Sequence, residues 1–178
     1  MSLKVVDVRF EHYRNPNTLG VHEDKPRISW RFENAPPTFE QEAYELRLNK
    51  ITGQQTQPLS TVQVTSTESH LVPWPADESL VSRQRYTVSV RARGKEQTDF
   101  TEWSEPAWLE AGLLNRSDWN SKFISAPWSD KSNDKSKPED LFRKTFSLGA
   151  DVKSARLYIT AQGLYEAEIN GHRVGDYF

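Results

Sequence analysis

Apolar and polar residues alternate with a period of two along most of this chain, and no segment sustains a helical period. Val6, Val8 and Phe10 alternate with Val5, Asp7 and Arg9, which predicts a first strand. Pro26 opens a second, where Ile28, Trp30 and Phe32 point one way and Arg27, Ser29 and Arg31 the other. Tyr44, Leu46 and Leu48, set against Glu45, Arg47 and Asn49, form a third that ends at Thr52-Gly53. Weaker strands are expected around Val62 and Val64 and at Leu71-Val72. Tyr86, Val88, Val90 and Ala92 mark a strong strand, and Ala107, Leu109 and Ala111 a final one. His12 to Lys25 is polar, contains Asn15-Pro16-Asn17 and Gly20, and reads as a long turn.

These are roughly seven short strands over about 110 residues, the size of an immunoglobulin-like sandwich. Leu80 lies six residues before Tyr86. That pairing is expected to form a tyrosine corner, with the phenol hydroxyl bonded to backbone a few residues upstream. An inward Trp30 without cysteines fits the fibronectin type III variety. The fold class is therefore all-β: an immunoglobulin or fibronectin type III-like sandwich over residues 1–114, followed over 115–178 by an incomplete second antiparallel β-sandwich.

The second part is expected to hold four or five strands, beginning with the apolar segment Lys122 to Ala126. Ser129 to Glu139 is a polar loop that cannot pack a core. Asp140 to Leu148 resumes the alternation. Ser154 to Phe178 then reads as a meander: Ala155, Leu157, Ile159 and Ala161 share a face, and Tyr165, Ala167 and Ile169 share the next. Asn170-Gly171 is a strong hairpin signal because both residues tolerate positive φ. A four-residue loop, Asn170 to Arg173, is preferred here because it sets Ile169 opposite Val174 and pairs apolar with apolar. The meander has no further strand to complete a sheet. Its apolar face is expected to pack on the first domain, to pair with a second copy as a homo-oligomer, or to belong to a longer polypeptide.

Composition narrows the function classes. Net charge is −2 with no dense Lys/Arg run, which lacks the footprint of a nucleic-acid binder. Without cysteine, a disulfide scaffold, a thiolate metal site and a cysteine nucleophile are all excluded. No run of 18 apolar residues predicts a membrane span. The first residues carry no apolar signal region, so the expected location is cytoplasmic, or secreted if a leader was removed.

Candidate chemistry is sparse. Glu166 and Glu168 share one strand face and could be imagined as an acid/base pair, but polar-out alternation alone accounts for them. His22-Glu23-Asp24 is dense in ligand-type side chains, yet His12, His70 and His172 are scattered and no second cluster stands at metal spacing. No catalytic, cofactor or metal residue is assigned. Arg47, Arg85, Arg91 and Arg93 fall on outward faces of strands that should share a sheet, where Trp103 or Trp108 could stack between them as a cation–π ladder. Trp74 and Trp128 flank Pro-rich loops and are the candidates for stacking a sugar ring, weighed against the tendency of Trp to be buried.

The segments HEDKPRISWRF, AYELRL, RYTVSVRARGKE and TEWSEPAWLEAGLLNRSDWNSKFIS, in that order, resemble the N-terminal region of bacterial and fungal α-L-rhamnosidases. DLFRKTFSL and SARLYITAQGLYEAEINGHRVGD resemble the start of the next β-sandwich domain of those enzymes. The resemblance implies that terminal α-L-rhamnose is hydrolysed with inversion by carboxyl groups on an (α/α)6 barrel, and no position of this chain matches those catalytic motifs. It implies a non-catalytic accessory region whose main partner is the remainder of its own polypeptide, with carbohydrate as a further candidate partner and no cofactor. The alternatives are a stand-alone fibronectin-type binding or adhesion module, for which Trp103-Ser104 is suggestive, and a carbohydrate-binding module.

Overall fold

The computed structural model describes residues 2–14, 17–95, 97–127, 139–149 and 151–175. The chain divides into two units, Met1–Trp119 and Asn120–Phe178. Among the described residues there is no α-helix, only strands and one 3-10 turn at Arg116–Asp118.

The first unit holds seven strands: β1 (Lys4–Phe10), β2 (Thr18–Val21), β3 (Ile28–Glu33), β4 (Gln41–Thr52), β5 (Gln55–Thr65), β6 (Arg85–Gly94) and β7 (Ala107–Ala111). They form a five-stranded sheet in the order β2-β7-β6-β4-β5 and a two-stranded β1-β3 sheet. The inward residues of β4, β6 and β7 are those the alternation marks: Leu46, Leu48, Val88, Val90 and Leu109 are all at most 1% exposed. Phe10, Ile28 and Trp30 complete the same core from the small sheet. Trp30 meets the edge of Tyr44 at 4.9 Å between centroids. Its indole N–H donates to Gln41 Oε1 (3.2 Å), and Gln41 Nε2 donates onward to the carbonyls of Ser66 and Glu68. A buried amide with all its polar atoms satisfied fixes the turn after β5 to the core without a desolvation penalty.

Three strand assignments differ from the periodicity. In β1 the register slips between Val6 and Arg9, with Asp7 at φ 57°. One extra residue moves the following side chains to the other face, so Val5, Val8 and Phe10 are buried while Val6 is only half-buried. The expected turn from His12 to Lys25 contains β2, which pairs parallel to β7. Its sequence, Thr-Leu-Gly-Val, is too short and too interrupted to show a period, and Gly20 sits at φ 75° within a second irregularity. Conversely, Leu71-Val72 is no strand. It makes one antiparallel bridge to Ile28, closed by two backbone bonds of 2.9 and 2.8 Å. The weak strand at Val62 is the second half of an eleven-residue strand that returns from β4 through Gly53-Gln54.

The tyrosine corner is present. Val81 N–H donates to Tyr86 Oη at 3.0 Å, and burial raises the phenol pKa above its ordinary value. Leu80 packs in the same core.

The second unit has one hairpin among its described residues, β8 (Glu168–Ile169) and β9 (His172–Arg173). Ile169 lies opposite His172, so the loop is the two residues Asn170 and Gly171, at φ 53° and 79°, and not the four-residue loop that side-chain matching favours. Turn geometry decides the register because Ile169 is 46% exposed and gains nothing from an apolar partner. The tight loop instead brings Ala167 and Val174 together through a 2.8 Å backbone bond. The other strands expected between 122 and 165 are not formed among the described residues.

Candidate functional site

The outward face of the large sheet carries the densest side-chain chemistry. Antiparallel pairing puts Arg85 opposite Glu110, Arg91 opposite Glu45 and Arg47 opposite Ser89. Outward residues of neighbouring strands therefore become direct cross-strand pairs. Arg85 Nη2 reaches Glu110 at 2.9 Å, Arg91 Nε reaches Glu45 at 2.7 Å, and Arg93 Nη2 reaches Glu42 at 2.9 Å.

Two aromatic rungs, Phe100 and Trp103, come from the approach to β7, and a third, Trp108, from β7 itself. Two hydroxyls bond the approach segment to β6 in place of a regular ladder. Thr101 N–H donates to Ala92 O (2.8 Å) while Ala92 N–H donates to Thr101 Oγ1 (3.2 Å). Ser104 N–H donates to Val90 O (2.8 Å) while Val90 N–H donates to Ser104 Oγ (3.0 Å). Between these two clasps Trp103 projects onto the arginine face. Arg47 Cζ lies 4.0 Å and Arg91 Cζ 4.7 Å from its ring centroid. Arg85 covers Trp108 at 4.2 Å, and Phe100 receives both Arg91 (5.1 Å) and Arg93 (5.4 Å). All lie inside the 6 Å over which a guanidinium is attracted to a ring face, so the ladder proposed from the outward arginines is formed, with Phe100 as an extra rung. Each contact is worth roughly 0.5–1 kcal/mol at such half-exposed positions. The arrangement stiffens the sheet and offers no free base or nucleophile.

A second polar cluster closes the unit at its C-terminal end. Ser82 Oγ donates to Asp118 Oδ2 and accepts from Leu114 N–H (2.9 Å). Asn115 N–H also donates to Asp118 Oδ2 (2.9 Å), and Arg83 Nη2 donates to the Asp118 carbonyl (3.0 Å). The Ser82 hydroxyl, followed by the Asn115 amide, holds the Asp118 carboxyl below its ordinary range. A comparable clasp joins Glu11 to Arg27, whose Nη2 approaches Glu11 Oε2 at 2.6 Å and lowers the Glu11 pKa. Neither clasp was visible in the sequence, because their partners lie 36 and 16 residues apart with no periodic signal.

The other sequence candidates are placed as follows. Trp74 packs in the core, 8% exposed, with its ring edge-on to Tyr86 at 6.2 Å, and it also lines the trough beside β5 described below. Trp128 lies outside the described residues. Glu166 and Glu168 are exposed, and Glu168 pairs across the hairpin with Arg173. His70 Nδ1 contacts Ser29 Oγ at 3.3 Å, and His172 lies in β9. Among the described residues no three His, Asp or Glu side chains converge in a way that could hold a metal ion. A trough runs beside β5, with about 630 Å³ between Val62, Val64 and the 66–77 segment, and about 510 Å³ continuing past Ser60 toward Leu80.

The family model described as Rha78A-like, N-terminal immunoglobulin domain matches residues 5–115, and the α-L-rhamnosidase N-terminal domain model matches residues 150–178. An α-L-rhamnosidase of Streptomyces avermitilis is 31% identical over 193 residues, covering 97% of this chain and 18% of its own length. One from Formosa agariphila is 31% identical over 175 residues, covering 93% and 18%. Among solved structures, the Streptomyces avermitilis α-L-rhamnosidase complexed with L-rhamnose aligns at 35% identity and a TM-score of 0.62, over 71% of this chain and 12% of that one. The native enzyme from Aspergillus terreus aligns at 37% identity and 0.58, over 67% and 13%. The chain thus spans less than a fifth of the length of these curated relatives. With the match over 5–115 covering the sandwich and its ladder, the chain belongs to the Rha78A-like N-terminal immunoglobulin domain family, followed in the same polypeptide by sequence of the α-L-rhamnosidase N-terminal domain.

Proposed function

We propose that this chain acts as the non-catalytic N-terminal accessory region of an α-L-rhamnosidase, an enzyme that would release terminal α-L-rhamnose from glycosides with inversion. The observation that carries the reading is collinearity: 97% of the chain aligns with an α-L-rhamnosidase while covering 18% of it. The side chains agree with a supporting role. Glu42, Glu45 and Glu110 are each tied to an arginine. An inverting pair needs two carboxyl groups about 6.5–9.5 Å apart flanking a water, with one of them kept protonated. The sandwich supplies a rigid body, and the rest of the polypeptide supplies the reacting groups.

The test compares the parent enzyme with a version lacking residues 1–119, using an aryl α-L-rhamnoside. Loss of the sandwich is expected to lower the thermal midpoint and soluble yield while leaving kcat of the surviving enzyme within about twofold. Turnover by the isolated 178-residue chain would overturn the accessory role. Calorimetric binding of rhamnosides to the isolated chain would replace it with a carbohydrate-binding one.

A further inference from the structure

The two layers of the sandwich are unequal, five strands facing two, and the cover thins toward β5. Tyr44 and Leu46 of β4 are 4% and 1% exposed, but their partners on β5, Val64 and Val62, are only half-buried. The 66–77 segment stands along this margin as a wall, fastened where Ser60 Oγ donates to Pro75 O (2.9 Å). Between wall and sheet lies the trough, about 630 Å³ over a floor of Leu46, Val62 and Val64. That size is usual for a small-molecule cleft.

Two features give the trough a chemistry. The first is Tyr44, which lines it with its ring edge-on to Trp30. Its hydroxyl bonds no described residue, and burial alone raises its pKa, whereas the Tyr86 hydroxyl has the Val81 amide. Among the described residues, the unpartnered polar side-chain atoms shut off from solvent are Trp74 Nε1 and Arg93 Nε. The Tyr44 hydroxyl is not one of them, so it stands open to the trough. A phenol more than nine-tenths buried thus keeps its oxygen free to accept a hydrogen bond.

The second feature is charge. The lining holds two carboxylates, Glu68 and Asp77, and no lysine or arginine. On the outward face of the sheet, Glu42, Glu45 and Glu110 are each tied to an arginine. Glu68 and Asp77 are exposed and enter no ion pair among the described residues. Glu68 is held at the Tyr44 end of the trough. Its N–H donates to Ser66 Oγ (3.0 Å) and its carbonyl accepts from Gln41 Nε2 (2.7 Å), just past the Val64 that pairs with Tyr44. A cleft lined by one sign of charge concentrates the opposite ion. Free oxygen acceptors suit the N–H donors of an ammonium, and the floor suits hydrocarbon.

We propose that the trough binds a small organic amine with an apolar body. The ammonium donates to the Tyr44 hydroxyl and is drawn by Glu68 and Asp77, and the body lies on Leu46, Val62 and Val64. This binding goes beyond the accessory role proposed above and is independent of it. The test is calorimetric titration of the full chain with phenethylamine, phenethyl alcohol and hydrocinnamate, which share a body and differ in the charge of the head. His70 also lines the trough, so the titration is run at about pH 8, above the ordinary histidine range and below that of an alkylamine. The amine binds saturably, the alcohol about fivefold more weakly, and the carboxylate more weakly still. Tyr44→Phe keeps the ring against Trp30 and breaks no hydrogen bond of the fold. It weakens the amine about tenfold, the size of one hydrogen bond to a charged group, and leaves the alcohol less affected. Should that variant fold poorly, Glu68→Gln with Asp77→Asn changes exposed charges only, and it brings the amine down to the affinity of the alcohol. Absence of saturable binding by the amine, or equal binding of amine and alcohol by the parent chain, overturns the proposal. So does a folded Tyr44→Phe or double variant that binds the amine as tightly as the parent, since the amine then sits elsewhere.

Discussion

In the first unit Leu46 and Leu48, two apart on β4, are each 1% exposed; in the second, Leu157 and Ile159 repeat that spacing and are 48% and 43% exposed. Both stretches alternate apolar with polar residues, and both carry β-formers. The first stretch has Trp30, Ile28 and Phe10 stacked over it from another sheet. In the second unit, Ala126 is the one buried residue among those described, and Leu141 and Leu164 are 94% and 87% exposed. Alternation states which face a strand would bury. A strand forms only when a second layer covers that face, since an isolated hairpin is marginal in water. What survives in the second unit is the element specified within four residues, the Asn170-Gly171 turn.

A matched pair of truncations would break this comparison most directly. Leu46→Ala should cost about 2–5 kcal/mol, because the core around it cannot collapse fully into the vacated space. Leu157→Ala should stay within about 0.5 kcal/mol, as for other surface changes. Urea unfolding of the full chain, followed by tryptophan fluorescence, reads both. Comparable destabilisation by the two variants would mean that the Leu157 face is covered in solution.

Trp103→Ala is the next largest effect. It removes the ring shared by Arg47 and Arg91 and should lower stability by about 1–2 kcal/mol, two cation–π contacts at exposed-site strength. The same urea experiment with Arg47→Met should show about half of that loss, since it removes one of the two contacts to the ring while Arg91 keeps the ring and Glu45. A Trp103→Ala variant as stable as the parent would show that the ladder decorates the sheet without supporting it.

Much of the first unit was legible because local pattern and tertiary outcome agree there. Tyr44, Leu46 and Leu48, or Tyr86, Val88 and Val90, alternate cleanly and lie in the middle of a sheet. The arginine ladder was legible for the same reason, since outward positions on adjacent strands must meet. What escaped was everything set by a single added residue or by a distant partner. The bulge at Asp7 exchanged Val6 for Val5, and β2 owes its existence to β7, some ninety residues later. Phe100 joined the ladder through the Thr101 and Ser104 hydroxyls, which read in sequence as ordinary loop residues. Trp74 could be placed only with the core in view. Its Pro-flanked sequence suits a surface loop equally well, and its burial depends on Tyr86 and on the backbone passing β5.

The smallest effect tests where the ordered unit stops. Asp118 accepts bonds from Ser82 and Asn115, and these lower its folded pKa beneath the ordinary aspartate value of 3.8. A depressed carboxyl contributes stability that is fully present above the unfolded value and is lost as pH falls through the folded one. Asp118→Asn keeps the shape but weakens the acceptor, so its urea midpoint should lie below that of the parent at pH 7. The gap should narrow as pH drops below about 3.8, where the parent's own carboxyl takes up its proton. Glu11, lowered by Arg27, follows the same sign and adds to the parent's acid sensitivity. A gap that persists unchanged to pH 2 would mean that the variant acts through packing, and that the Ser82–Asp118 clasp does not couple the 3-10 turn to the sandwich.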